Sequence, residues 1–140
     1  MKLTGRDSIR YFARPDPDKT GVLIYGSDAM RVALRRQEII CALVGPAGEE
    51  EMRLSRISAA TLRKEPSLLQ DAIKAQGFFP GPRVVFLEDA TDTIAKIIEA
   101  ALHDWQTGDA QVIVTAGQLA ARSGVRKLFE GQRNSSAIGV

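Results

Sequence analysis

The stretch Val22-Leu23-Ile24-Tyr25-Gly26-Ser27-Asp28 decides the fold. Four consecutive apolar residues between Gly21 and Gly26 lack the alternation of a half-exposed strand, so they read as a strand covered on both faces. Ser27 or Asp28 can cap a helix that runs to Val44. Its apolar stripe is expected along Met30, Ala33, Leu34, Ile40, Cys41 and Val44, and Gly45-Pro46 stops it. A buried strand, a glycine turn and a long helix are the opening unit of a parallel α/β sheet.

The pattern recurs downstream. Val84-Val85-Phe86-Leu87 and Gln111-Val112-Ile113-Val114-Thr115 read as two more interior strands, while Met52-Arg53-Leu54-Ser55 alternates and fits a sheet edge. Ala137-Ile138-Gly139-Val140 has the makings of a fifth strand. Between them lie a helix begun near Pro66 with Leu68, Leu69, Ala72, Ile73 and Gln76 on one face, and a helix with Ile94, Ile97, Ile98, Ala101, Leu102 and Trp105 on its stripe. A shorter one, capped by Ser123, turns Val125, Leu128 and Phe129 inward. Upstream, Thr4 to Arg14 forms a short helix ended by Arg14-Pro15-Asp16-Pro17-Asp18. The expectation is an α/β fold with a five-stranded, mostly parallel sheet and helices on both faces.

Whole-chain properties narrow the function classes. A length of 140 residues with 44% hydrophobic content suits a single domain spanning residues 1–140. The formal net charge of +2 is too small to argue for nucleic acid by itself, though the pI near 8.9 is compatible with local contact. No apolar run is long enough to cross a bilayer and the first residues carry no secretory h-region, so a cytoplasmic protein without a membrane partner is expected. One histidine and one cysteine cannot assemble a Cys/His zinc site, and no metal or cofactor is implied. Cys41, inside Ile39-Ile40-Cys41-Ala42-Leu43-Val44, is expected in the core. His103 falls opposite the apolar stripe of its helix and reads as exposed.

The turn after the first strand is where a phosphate loop would sit, with the pattern G-x-x-x-x-G-K-[ST]. Gly26-Ser27-Asp28-Ala29-Met30-Arg31-Val32-Ala33 keeps only the first glycine, and Arg31, Val32 and Ala33 replace the second glycine, the lysine and the hydroxyl. Asp28 adds a negative charge where phosphates would lie. Glu88-Asp89 ends a strand as a magnesium-holding carboxylate pair does, which leaves an alternative: a small nucleotide-binding or receiver-like phosphotransfer domain using Asp28 or Asp89, with Thr115 nearby in the scheme. No serine, cysteine or histidine set makes a nucleophile with its base, so no intrinsic catalysis is expected. Glu49-Glu50-Glu51 reads as a solvated loop, and Arg31, Arg35, Arg36 and Arg122, Arg126, Lys127, Arg133 read as solvated basic faces within reach of phosphates.

One stretch is left without a structural assignment. In Lys74-Ala75-Gln76-Gly77-Phe78-Phe79-Pro80-Gly81-Pro82-Arg83, adjacent aromatics follow a helix end and precede a proline that disfavours helical backbone at Phe79. Two large apolar side chains on such a turn either tuck beneath it or meet a partner, since burying each is worth roughly 1.5–3 kcal/mol.

These residues resemble a known family, the N-terminal domain of the delta subunit of the bacterial DNA polymerase III clamp loader. The resemblance rests on Val22 to Asp28 followed by a long helix, on Gly77-Phe78-Phe79 leading into Arg83-Val84-Val85-Phe86-Leu87, and on Arg122-Ser123-Gly124-Val125-Arg126-Lys127-Leu128-Phe129-Glu130, and it spans essentially the whole chain. It implies an AAA+-like module, related to P-loop folds, with a degenerate phosphate loop and no nucleotide. It further implies a subunit that binds the beta sliding clamp and helps open it during DNA replication. The family's clamp-binding motif, of the type x-x-small-Leu-Phe at a helix end, maps onto Ala75, Gln76, Gly77, Phe78 and Phe79, with Phe78 in place of leucine and Lys74 at the preceding position, where such motifs often open with glutamine. The resemblance implies a longer subunit of the polymerase III holoenzyme, with lid and collar domains that join the gamma/tau and delta prime subunits, and primer–template DNA as a further candidate partner.

Overall fold

The computed structural model describes residues 2–16, 19–45, 53–75, 82–132 and 134–140. Its strands are β1 (Lys2–Leu3), β2 (Gly21–Tyr25), β3 (Leu54–Ser58), β4 (Val84–Glu88), β5 (Gln111–Ala116) and β6 (Ser135–Gly139). They form one six-stranded sheet in the order β1-β6-β2-β5-β4-β3, and every pairing is parallel. The expected sheet of five mostly parallel strands is thus extended by β1. A strand of Lys2 and Leu3 alone carries too few residues for a period-two signal, and it exists because Leu3 pairs with Ile138 at the margin.

The helices are α1 (Gly5–Ala13), α2 (Ala29–Val44), α3 (Ala59–Lys64), α4 (Ser67–Lys74), α5 (Ala95–His103) and α6 (Gly124–Gly131), with a 3₁₀ turn at Asp92–Ile94 before α5. Alternation along the central strands sends residues to opposite faces, which is why they are apolar throughout. Val22, Ile24, Phe86 and Ile113 pack with Phe12 of α1 and Val32, Ile39 and Leu43 of α2. Leu23, Leu87, Val112 and Val114 pack on the other side with Leu62, Leu69, Ile98 and Phe129 of α3 to α6. Helices therefore cover both faces, as right-handed crossovers between parallel strands require.

Several expectations need correction. The stripe of α2 is rotated from its expected position: the buried residues are Val32, Ile39, Ile40, Leu43 and Val44, whereas Met30 is 83% and Leu34 59% exposed. Cys41 is exposed as well, and its sulfur accepts from Gln37 Nε2 at 3.4 Å. Met52 of the expected edge strand lies outside the described residues, Arg53 precedes the strand, which runs Leu54–Ser58, and α3 follows it directly because the Ser58 hydroxyl accepts from Thr61 N and caps a helix at the strand's last residue. Trp105 lies beyond α5, held by Nε1 donating to Ala110 O at 2.8 Å. Arg35 and Arg36 do not form a solvated face with Arg31: their guanidiniums lie over the rings of Phe12 and Phe86, and Arg35 also pairs with Glu38 at 3.1 Å.

Candidate functional site

Two neighbouring strands, β2 and β5, send their following helices to opposite faces: α2 covers one and α6 the other. Such a divergence opens a crevice beyond the carboxyl ends of the strands, the usual ligand position in this kind of sheet. Gly26-Ser27-Asp28 enters it from β2 and Gly117 from β5.

The crevice is filled by the chain itself. The Gly26 N–H, which a phosphate loop would offer to its ligand, donates to Gly117 O at 3.2 Å. Val140 continues the β6 pairing by donating its N–H to Tyr25 O at 2.9 Å. That places the Val140 carbonyl so close to Gly26 that a Cβ there would stand 2.2 Å from its oxygen. Glycine is required at this position by close approach of backbone. The free N–H groups at the start of α2 are also engaged, because Asp28 Oδ1 accepts from Met30 N at 3.1 Å and from Arg31 N at 3.3 Å. A carboxylate thus occupies the helix-dipole position that a phosphate would take.

Of the other carboxylates of this end, Glu88 and Asp92 make contacts within the chain. Glu88 faces Arg56 of the edge strand at 3.8 Å. Asp89 adopts φ 59°, an uncommon left-handed backbone for a non-glycine residue, as the chain leaves β4. Ala90 N then donates to Thr115 O at 2.9 Å, so the Thr115 region ties the β4 exit to β5. The strongest carboxylate contact was not anticipated from sequence: Asp92 Oδ1 accepts from Ser123 Oγ at 2.6 Å and from Val125 N at 3.2 Å. The Ser123 hydroxyl, helped by the Val125 and Gly124 N–H groups, holds the Asp92 carboxyl below its ordinary range. Ser123 itself caps α6 through Arg126 N at 3.4 Å. An aspartate thirty-odd residues from the helix it serves leaves no local signature. Arg126 completes this side, bonding Glu130 at 2.7 Å and Leu119 O at 3.1 Å with its guanidinium 5.1 Å from the Tyr25 ring.

The opposite, amino-terminal end of the sheet carries α4 and Ala75, the one described residue of the stretch that the resemblance marks for partner binding. Leu69 and Ile73 of α4 are fully buried, and Ile73 O accepts from Ala110 N at 3.1 Å. Lys74 is tied to the loop before β5: Nζ donates to Asp104 O at 2.9 Å and pairs with the carboxylate of Asp109. Gln70 Nε2 adds a bond to Asp104 Oδ2 at 3.0 Å. Burial works against ionised Asp109, yet the Lys74 ammonium, the Gln106 N–H and the charge of Arg83 outweigh it and hold its carboxyl below the ordinary range. Ala75 is exposed in extended backbone at the end of α4. Gln76, Gly77, Phe78 and Phe79 lie outside the described residues. The chain is described again from Pro82, and Arg83 is anchored to the same loop, donating to Gly108 O at 3.1 Å. Lys74 and Arg83 therefore fix both flanks of the diphenylalanine stretch to residues 104–109.

His103 is exposed at the end of α5. Among the described residues, no three His, Cys, Asp or Glu side chains converge as a metal site, and no helix is long and apolar enough to cross a membrane. No protein-family model matches the chain, and no curated protein matches it.

Proposed function

We propose that this chain is the N-terminal, non-catalytic domain of a clamp-loader delta subunit, binding a beta sliding clamp through Ala75-Gln76-Gly77-Phe78-Phe79 and helping to open it for loading on primed DNA. In this reading the domain is an AAA+-like module of the cytoplasmic DNA polymerase III holoenzyme. Further domains of the subunit would join it to the gamma/tau and delta prime subunits.

The observation that carries the reading is the pinned exit of α4. A short peptide motif binds a hydrophobic pocket more tightly when its flanks are ordered beforehand, since less conformational freedom is lost on association. Lys74 and Arg83, both bonded to the 104–109 loop, provide such flanks for two adjacent aromatic anchors. Aromatic side chains are also the residues that most often dominate interface energetics. The filled crevice at the other end supports the loss of nucleotide binding, because Asp28 and the backbone of Gly117 and Val140 occupy the positions a triphosphate needs.

The test is a pull-down and titration with the cognate clamp. Phe78→Ala combined with Phe79→Ala is expected to remove clamp binding while the circular dichroism spectrum stays unchanged; retained affinity in the double variant refutes the assignment. Addition of Mg-ATP, and incubation with a small-molecule phosphodonor followed by intact mass, are expected to leave the chain unaltered. Saturable ATP binding or a phosphorylated Asp28 or Asp89 would instead establish the nucleotide-binding or phosphotransfer alternative.

A further inference from the structure

On the sheet face covered by α2, two guanidiniums share one aromatic ring. The Cζ atoms of Arg36 and Arg56 stand 4.7 and 5.3 Å from the centroid of Phe86. Both side chains line a cleft of about 150 Å³ between α2 and the β3 edge, whose remaining walls include Gln37, Ile40, Cys41 and Leu54. Stacking on the ring orients the two planar cations but does not neutralise them.

Among the described residues the compensation is incomplete. Glu88 approaches Arg56 at 3.8 Å, a distance set by charge rather than by a hydrogen bond. Arg36 donates from Nη1 to Gln37 Oε1 at 3.4 Å, while its Nε is buried without a hydrogen-bond partner among the described residues. Loss of solvent around Arg36, reinforced by the charge of Arg56, disfavours its cationic form despite the offsetting charge of Glu88. Among the described residues, two guanidiniums and one carboxylate leave a net positive charge, and the planar donors of two guanidiniums suit an oxyanion.

We propose that this cleft is an anion site that takes a phosphoryl group, with Arg36 and Arg56 as its donors. The proposal is independent of clamp binding and of the filled crevice beyond β2. Paired guanidinium forks match the several oxygens of a tetrahedral anion, and pockets for whole drug-sized ligands run to about 300–1,000 Å³, so this cleft suits the phosphoryl group alone. The group can be free phosphate or the diester of a strand lying outside the cleft, and the chemistry of recognition is the same.

Cys41, the single cysteine of the chain, is exposed and lines the cleft, so it reports on occupancy. The full chain is alkylated with iodoacetate, an anion, and with neutral iodoacetamide, and the rates are followed by intact mass. In each reaction the Cys41 thiolate forms the S–C bond and iodide leaves. The expected result is that inorganic phosphate slows iodoacetate alkylation saturably, beyond the effect of chloride at equal ionic strength. Arg36→Gln with Arg56→Gln is expected to lower the iodoacetate-to-iodoacetamide rate ratio about tenfold, the scale of one charge-assisted hydrogen bond. Glu88→Gln, which keeps both arginines, should lower the phosphate concentration needed for protection, so the proposal stays testable if the double variant fails to fold. A short oligodeoxythymidylate run beside inorganic phosphate separates the sources, the one protecting at the lower phosphate concentration being the better ligand. Protection no greater than with chloride, from either source, overturns the proposal, as does an unchanged rate ratio in a folded double variant.

Discussion

The two ends of the sheet are built on opposite plans. Beyond the carboxyl ends of β2 and β5, groups that could hold a ligand are spent within the chain: the Gly26 N–H on Gly117, the first N–H groups of α2 on Asp28, and the space over Gly26 on Val140. At the amino ends, side chains from distant segments converge on residues 104–109 to fix where a short connection leaves α4 and re-enters at Arg83. The first end turns a crevice inward into packing; the second uses hydrogen bonds and an ion pair to hold Lys74 and Arg83 to one loop.

The comparison can be broken most severely at Gly26. Gly26→Ala sets a methyl group against backbone rather than against a side chain that could turn away, and overpacking of this kind costs about 2–3 kcal/mol. Urea denaturation should show this loss, and an unchanged midpoint would mean that Val140 does not lie over the turn. Next in size is Asp28→Ala, which removes the cap of α2 and should cost about 1 kcal/mol in the same measurement. The variant should also remain unable to bind Mg-ATP, because Arg31, Val32 and Ala33 still stand where a phosphate loop needs glycine, lysine and hydroxyl. Nucleotide binding gained by this one change would show that Asp28 alone had closed the crevice.

The smallest effect belongs to the amino end. Lys74→Ala should cost roughly 0.5–1 kcal/mol at neutral pH, in keeping with a partly exposed network. Its signature is a pH profile. Asp109 is held below its ordinary range in the folded state, so the folded chain binds that proton more weakly than the unfolded chain does. The stability this supplies is fully present above the ordinary aspartate value near 4 and is lost as pH falls through the lower folded value. Removing Lys74 should flatten that acid-side fall, and denaturation midpoints measured from pH 6 to pH 3 would reveal it. An equally steep fall in the variant would separate Lys74 from Asp109.

Some of this was legible from the residues and some was not. β2, β4 and β5 announce themselves as uninterrupted apolar runs between glycines and charges, because a strand covered on both faces has no reason to alternate. The cap at Ser123 was also readable, and that of α2 was narrowed to Ser27 or Asp28, since a capping side chain serves N–H groups two or three residues away. α2 was harder. Its apolar residues point in nearly every direction, so period alone could not choose between a stripe through Met30 and Leu34 and the one through Val32, Ile39 and Leu43 that α1 and the sheet cover. Likewise, Lys74 stands in the sequence only as the residue preceding the stretch that the resemblance marks, where glutamine is usual, and its proximity to Asp104 and Asp109 is what reveals an anchor. The Asp92–Ser123 and Arg36–Phe86–Arg56 groupings join residues far apart in the chain, beyond the reach of any local pattern.

The order of the strands also bears on how the chain comes together in time. β2 is made early, yet both its neighbours are made late: Gly21 lies beside Val112 of β5 and Ser135 of β6. Its buried residues have no sheet partners until those segments emerge and return across a long intervening chain, a search whose entropic cost slows folding. During synthesis the stretch Val22-Leu23-Ile24-Tyr25 is therefore an unpaired apolar strand until β5 and β6 have emerged, and the period in which it is most open to aggregation or to chaperone capture ends only when β6 is threaded between β1 and β2.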